Sequence, residues 1–82
     1  MSTEILIVDD NSEIRTILQE IISDSGYKTR LAANYNQALS EIDKKLPDVA
    51  IIDVKLDKSD NDGIELLNHI KNKNKDIPVI II

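Results

Sequence analysis

Read for the spacing of its apolar positions, the chain alternates between two kinds of segment. Glu4–Val8 carries Ile5, Leu6, Ile7 and Val8 without a polar break, the pattern of a strand buried on both faces. Asp9, Asp10, Asn11 and Ser12 follow as a capping cluster. Ile14, Ile17, Leu18, Ile21 and Ile22 then fall at i, i+3, i+4, i+7 and i+8, which predicts a helix with one apolar stripe. Gly26 is its natural stop. Tyr27–Leu31 alternates apolar and polar residues, as a half-exposed edge strand does. Asn34 and Gln37 have capping-box spacing, and Tyr35, Ala38, Leu39 and Ile42 give a second stripe. Leu46 packs just past that helix, which Pro47 prevents from continuing. Asp48–Ile52 reads as another buried strand and Val54–Gly63 as a polar loop. Ile64, Leu67 and Ile70, flanked by Leu66, mark a third helix that dissolves into Lys71–Lys75. Pro78 introduces a last apolar strand, Val79–Ile82.

The order β-α-β-α-β-α-β predicts an α/β fold, a parallel sheet with flanking helices. Composition sharpens this without changing it. The 82 residues are 41% hydrophobic, with 15 isoleucines, too apolar for a disordered acidic tail. The longest apolar runs are four residues, far short of the roughly 20 that span a bilayer, so no membrane association is expected. No signal peptide opens the chain and there is no cysteine, so thiolate chemistry is excluded and the cytoplasm is the default location. Fifteen acids against ten bases give a net charge of −5. Without a basic face, direct nucleic-acid binding is not expected.

The acids are unevenly placed, and that is the first sign of chemistry. Asp9 and Asp10 end the first strand and Asp53 ends the third. Ligands of open α/β sheets bind beyond the carboxyl ends of the strands. Adjacent strands lie about 4.8 Å apart, so pairing of these two would bring three carboxylates into one pocket. Their mutual repulsion is relieved by a divalent cation, and an all-oxygen site suits Mg²⁺ or Mn²⁺. Beside such an ion, Asp53 is the candidate nucleophile toward phosphorus, with Asp9 and Asp10 holding the metal. The plainer alternative is that Asp9-Asp10 only caps a helix and Asp53 only forms a turn.

Ile-Leu-Ile-Val-Asp-Asp-Asn (Ile5–Asn11), Ile-Ile-Asp-Val (Ile51–Val54) and Asp62-Gly63 resemble, in order along the whole chain, the receiver domain of bacterial two-component response regulators. The resemblance implies a flavodoxin-like (CheY-like) fold with strand order 2-1-3-4-5. It implies that residues 1–82 are the N-terminal portion of one receiver domain, lacking the fifth strand and last two helices. It also implies that Asp53 takes a phosphoryl group from the histidine of a sensor histidine kinase. Asp9, Asp10, Asp53 and the backbone carbonyl of Lys55 would be the metal ligands. Such a module is a signalling phosphoacceptor in a phosphorelay, not a turnover enzyme. The loop departs from the usual family form: Asp62-Gly63 lies two residues further from Asp53, and Asp57 stands where proline is frequent. It looks like the longer loop of NtrX-type nitrogen-regulation response regulators. Family receivers also carry a Ser or Thr after the fourth strand and a Lys after the fifth, and this sequence ends before either. Impaired phosphorylation and marginal stability are therefore expected, or a homodimer through the bare fourth-strand edge. The competing reading is a non-catalytic interaction fragment or remnant that binds a kinase or receiver without being phosphorylated.

Other features have plainer explanations. An EF-hand centred on Gly63 would need carboxylates at Lys58 and His69. A phosphatase of the Asp-x-Asp type would need an acid two residues after Asp53, where Lys55 stands. Tyr27 and Tyr35 are expected at the core's edge, His69 on an exposed polar helix face, and Lys71, Lys73 and Lys75 at a solvated helix end.

Overall fold

The computed structural model describes residues 3–54, 56 and 62–82. The elements alternate as the pattern predicts: β1 (Glu4–Val8), α1 (Ser12–Asp24), β2 (Lys28–Ala32), α2 (Tyr35–Lys44), β3 (Val49–Ile52), α3 (Asp62–Lys73) and β4 (Val79–Ile81). All strand pairs are parallel and the sheet order is β2-β1-β3-β4. From β1 the chain steps to one side for β2, then back past β1 to β3 and on to β4. With right-handed crossovers, that reversal puts α1 on one face of the sheet and α2 and α3 on the other. The contacts agree: α1 lies on β1 and β2, while α2 and α3 touch each other.

Local chemistry sets the boundaries. The Asn11 side chain caps α1 by accepting from the N–H groups of Glu13 (2.9 Å) and Ile14 (3.1 Å). At the other end Gly26 adopts φ 94°, a left-handed conformation open to glycine at little cost. Its N–H donates to the Ser23 carbonyl and the Tyr27 N–H to that of Ile22, the paired bonds of a Schellman stop. Asn34 caps α2 through the Gln37 N–H, but the Gln37 side chain reaches back to Ala33 rather than to Asn34, so the box is open by one residue. Pro47 is fully buried and α2 ends short of it.

The core fills the α2/α3 face. Leu6, Val8, Ala50 and Ile52 from the central strands meet Ala38, Ile42, Leu66 and Ile70 from the helices, with Leu56 and Ile77 closing the ends. Leu46 and Tyr35 pack against its edge, whereas Tyr27 is 46% exposed and lies outside it. At the amino end of the strands Arg30 seals this face. Its Nε lies 3.0 Å from Glu4 Oε1, and its terminal nitrogens donate to the carbonyls of Glu41 (2.9 Å) and Lys45 (2.7 Å) at the end of α2.

Three further expectations change. The buried stripe of α3 is Gly63, Leu66 and Ile70, and Ile64 points outward, because α3 rotates Gly63 onto the sheet. The α1 stripe exists, but Ile14, Ile17 and Ile21 are exposed and no residue of α1 is fully buried. The Lys71 ammonium is not simply solvated, since it donates to the Lys75 and Ile77 carbonyls and ties down the α3–β4 turn. Strand limits otherwise shift by a single residue. No helix among the described residues is long and apolar enough to cross a membrane.

Candidate metal centre

The strand reversal places the site. Val8 of β1 pairs with Ile52 of β3, and the ladder runs one rung further, with Asp53 N–H donating to the Val8 carbonyl at 2.9 Å. Asp9 and Asp53 are therefore level at the carboxyl ends of neighbouring strands, between helices that leave on opposite faces. Asp9, Asp10 and Asp53 each offer a carboxylate oxygen, and all three oxygens lie within 4.8 Å of one another. The three acids named from the sequence thus come together. Lys55, whose carbonyl was the fourth expected ligand, lies outside the described residues, as do Asp57 and Asp60.

The three acids differ in surroundings. Asp9 is 2% exposed, Asp10 is exposed and Asp53 is half-buried. The Asp9 N–H donates to the Ala32 carbonyl (3.1 Å), and Asp9 Oδ1 accepts from the Asn11 N–H (2.8 Å). Its carbonyl accepts from Arg15 Nη1 (2.7 Å). Burial pushes the Asp9 carboxyl above the usual carboxylate value, and the neighbouring Asp53 and Asp10 push the same way. The Asn11 N–H and the Arg15 guanidinium pull it back. A buried acid held among other acids is a strained arrangement that a cation relieves.

Among the described residues the donor set is all oxygen, which fits a hard divalent ion. Asp9, Asp10 and Asp53 are the described residues that would hold such an ion, and it would offset the repulsion among their carboxylates.

Two further residues shape the site, and the sequence reading did not assign them these roles. Gly63, in the first turn of α3, sits so close to the third strand's end that a Cβ there would lie 2.5 Å from the Asp53 carbonyl and 2.7 Å from Val54 Cα. Only glycine allows α3 to approach the Asp53 backbone this closely. The Asp62-Gly63 pair signals this contact, but its spacing from Asp53 does not reveal it. Arg15 offered less: in the sequence it is one cation on an otherwise ordinary helix. Burial chiefly, then the charges of Glu65 and Asp62, raises the pKa of Tyr35 at the start of α2. His69 is half-buried and lies 3.3 Å from Asp43, remote from the acids in the α2–α3 seam.

Comparison with known proteins agrees with the fold. The family model described as response regulator receiver domain matches residues 5–82. The chain is 39% identical, over 82 residues, to the nitrogen assimilation regulatory protein NtrX of Azorhizobium caulinodans, covering all of this chain and 18% of that protein. It is 43% identical over 81 residues to sporulation initiation phosphotransferase F of Bacillus subtilis, covering 99% of this chain and 64% of that one. The crystal structure of NtrX from Brucella abortus in complex with ADP superposes with a TM-score of 0.88 at 37% identity, covering 99% of this chain and 18% of that chain. The chain thus spans less than two thirds of the length of either relative.

Proposed function

Because the chain belongs to the response regulator receiver family, and is NtrX-like within it, we propose that Asp53 is its phosphoacceptor, taking a phosphoryl group from a histidine of a sensor histidine kinase. The observation that carries this reading is the meeting of Asp9, Asp10 and Asp53 at the carboxyl ends of β1 and β3. An Asp53 carboxylate oxygen bonds to phosphorus as the P–N bond to the donor histidine breaks. The products are an acyl phosphate on Asp53 and an imidazole that takes up a proton. Asp9, Asp10, Asp53 and the Lys55 carbonyl are the proposed holders of Mg²⁺ or Mn²⁺, which supplies charge neutralisation for the phosphoryl oxygens. Receiver domains are signalling modules, and the proposed transfer leaves the group on the protein. The proposed setting is the cytoplasm.

The test is phosphoryl uptake from a small phosphoramidate donor, followed by intact mass. The chain gains one phosphoryl group with Mg²⁺, and neither the chain in chelator nor Asp53→Asn gains any. Uptake undiminished in Asp53→Asn contradicts the assignment. The outer edge of β4 has no strand partner among the described residues, and Ile80 beside it is 50% exposed. This favours a homodimer through that edge, and sedimentation at rising concentration tests it.

A further inference from the structure

Arg15 lies five residues after Asp10, and its bond to the Asp9 carbonyl stands in for a missing rung of the sheet. Between β1 and β2 the rungs run from Lys28 N–H to the Thr3 carbonyl (2.9 Å) through to Asp9 N–H on the Ala32 carbonyl (3.1 Å). In this parallel register the next rung would join the Asp9 carbonyl to the N–H of Asn34. The chain has by then left the sheet, since β2 ends at Ala32 and Asn34 is the cap of α2. Arg15 Nη1, reaching back from the second turn of α1, takes that donor's place at 2.7 Å. The Arg15 side chain is half-buried, and its backbone N–H is bonded to the Asn11 carbonyl, so the donor is carried on a fixed helical turn.

The consequence falls on Asp10. The Asp9 side chain and N–H have restraints of their own, but Asp10 is exposed and hangs from the peptide unit whose carbonyl Arg15 holds. We propose that Arg15 is the positioning residue of the acidic corner: by completing the β1 ladder it fixes the Asp9–Asp10 peptide plane and so sets where the Asp10 carboxylate stands relative to Asp9 and Asp53. This deepens the cation reading and rests on it. It also makes a prediction of unexpected sign. As a charge, Arg15 repels a divalent cation, and its loss would tighten binding. As a positioning group, its loss weakens binding, because the site must be ordered at the moment of binding.

The test compares the 82-residue chain with its Arg15→Met and Arg15→Lys variants by amide-resolved NMR, first without metal and then in a Mg²⁺ titration. Dispersed signals from β1 and β3 check that each variant is folded. Without metal, Arg15→Met raises the mobility of the Asp10 and Asn11 amides while leaving β3 unchanged. In the titration it weakens Mg²⁺ by about tenfold, and Arg15→Lys, which keeps one donor, recovers part of that loss. Mg²⁺ binding as tight as or tighter than in the parent chain, or unchanged Asp10 and Asn11 amides, overturns the proposal. If the parent chain itself binds no Mg²⁺, the cation reading fails separately, and the metal-free amides alone decide the role of Arg15.

Discussion

The two faces of the sheet are built from the same kind of sequence and end in different states. On the α2/α3 face, Leu66 and Ile70 are fully buried against Leu6, Val8, Ala50 and Ile52. On the α1 face the sheet offers Ile5, Ile7 and Ile51, and α1 brings a longer isoleucine stripe than either other helix. Yet Ile17 is 54% exposed and Ile80 is 50% exposed. The difference is geometric. Two helices share the first face and shelter each other's flanks, whereas among the described residues α1 packs mainly on β1 and β2. An apolar stripe states which side of a helix turns inward; how far it is buried depends on how many neighbours reach the same face. Among the described residues the α1 face buries Ile5 and Ile7 but leaves Ile14, Ile17, Ile21 and Ile80 exposed, while the α2/α3 face is closed. The acidic site sits at the seam between them.

The sharpest way to break this comparison is to truncate one isoleucine on each face. Ile70→Ala removes a fully buried side chain and costs about 2–5 kcal/mol, enough to unfold much of a small domain. Ile17→Ala removes a half-exposed one and costs under about 1 kcal/mol. Urea unfolding of both variants measures the gap, and equal losses would mean that the α1 face is as closed as the other. Next in size is Gly63→Ala. With Asp53 and Val54 backbone atoms so near, the added methyl must move α3 or the end of β3, at about 1–3 kcal/mol. The same variant shifts the Asp53 amide in the NMR spectrum, tying the helix contact to the site.

At the seam the expected sign reverses. Ionised Asp9 is buried beside Asp53 and Asp10 with its pKa raised, so its charge works against the fold at neutral pH. Asp9→Asn keeps an oxygen for the Asn11 N–H and removes that charge. It should raise the metal-free melting temperature by several degrees, about 1 kcal/mol, while weakening Mg²⁺ binding. Calorimetry with and without Mg²⁺ checks both halves. The smallest effect lies at the opposite end of the strands. Glu4 is held below its ordinary value of 4.5, chiefly by its hydrogen bond from Lys45 and then by the charges of Lys45, Arg30 and Lys28, against a desolvation cost. Its contribution is complete above 4.5 and is lost as pH falls through the lowered value. Asp9 has the opposite slope: protonation relieves it, so its penalty fades as pH falls through its raised value. Thermal melts of Glu4→Gln and Asp9→Asn across acid pH should therefore depart from the parent curve in opposite directions.

Much of this was legible in the sequence because it is local. The spacing of apolar residues predicts every element, and Asp9, Asp10 and Asp53 stand at strand ends, so a parallel sheet suffices to bring them together. What stayed hidden depends on relations across the fold. The exposure of Ile14, Ile17 and Ile21 depends on which elements reach the α1 face, which a helical period does not encode. Ile64 keeps the spacing of a core position, yet the tight seat of Gly63 turns it outward. Arg15 looked like one of several scattered cations, because nothing in its own neighbourhood says that β2 ends one rung short. Tyr27 follows Gly26 at the Schellman stop, which carries it outside the core.

The most direct test of the account is an amide-resolved NMR spectrum of the chain recorded with and without Mg²⁺. The account predicts dispersed signals, with Mg²⁺-dependent shifts confined to the ends of β1 and β3, at Asp9, Asp10, Asn11, Asp53 and Val54, and little change along α1 or β4. Mg²⁺ shifts scattered over all the acidic surface, or none at Asp9 and Asp53, would contradict it and leave the three carboxylates as caps and turns.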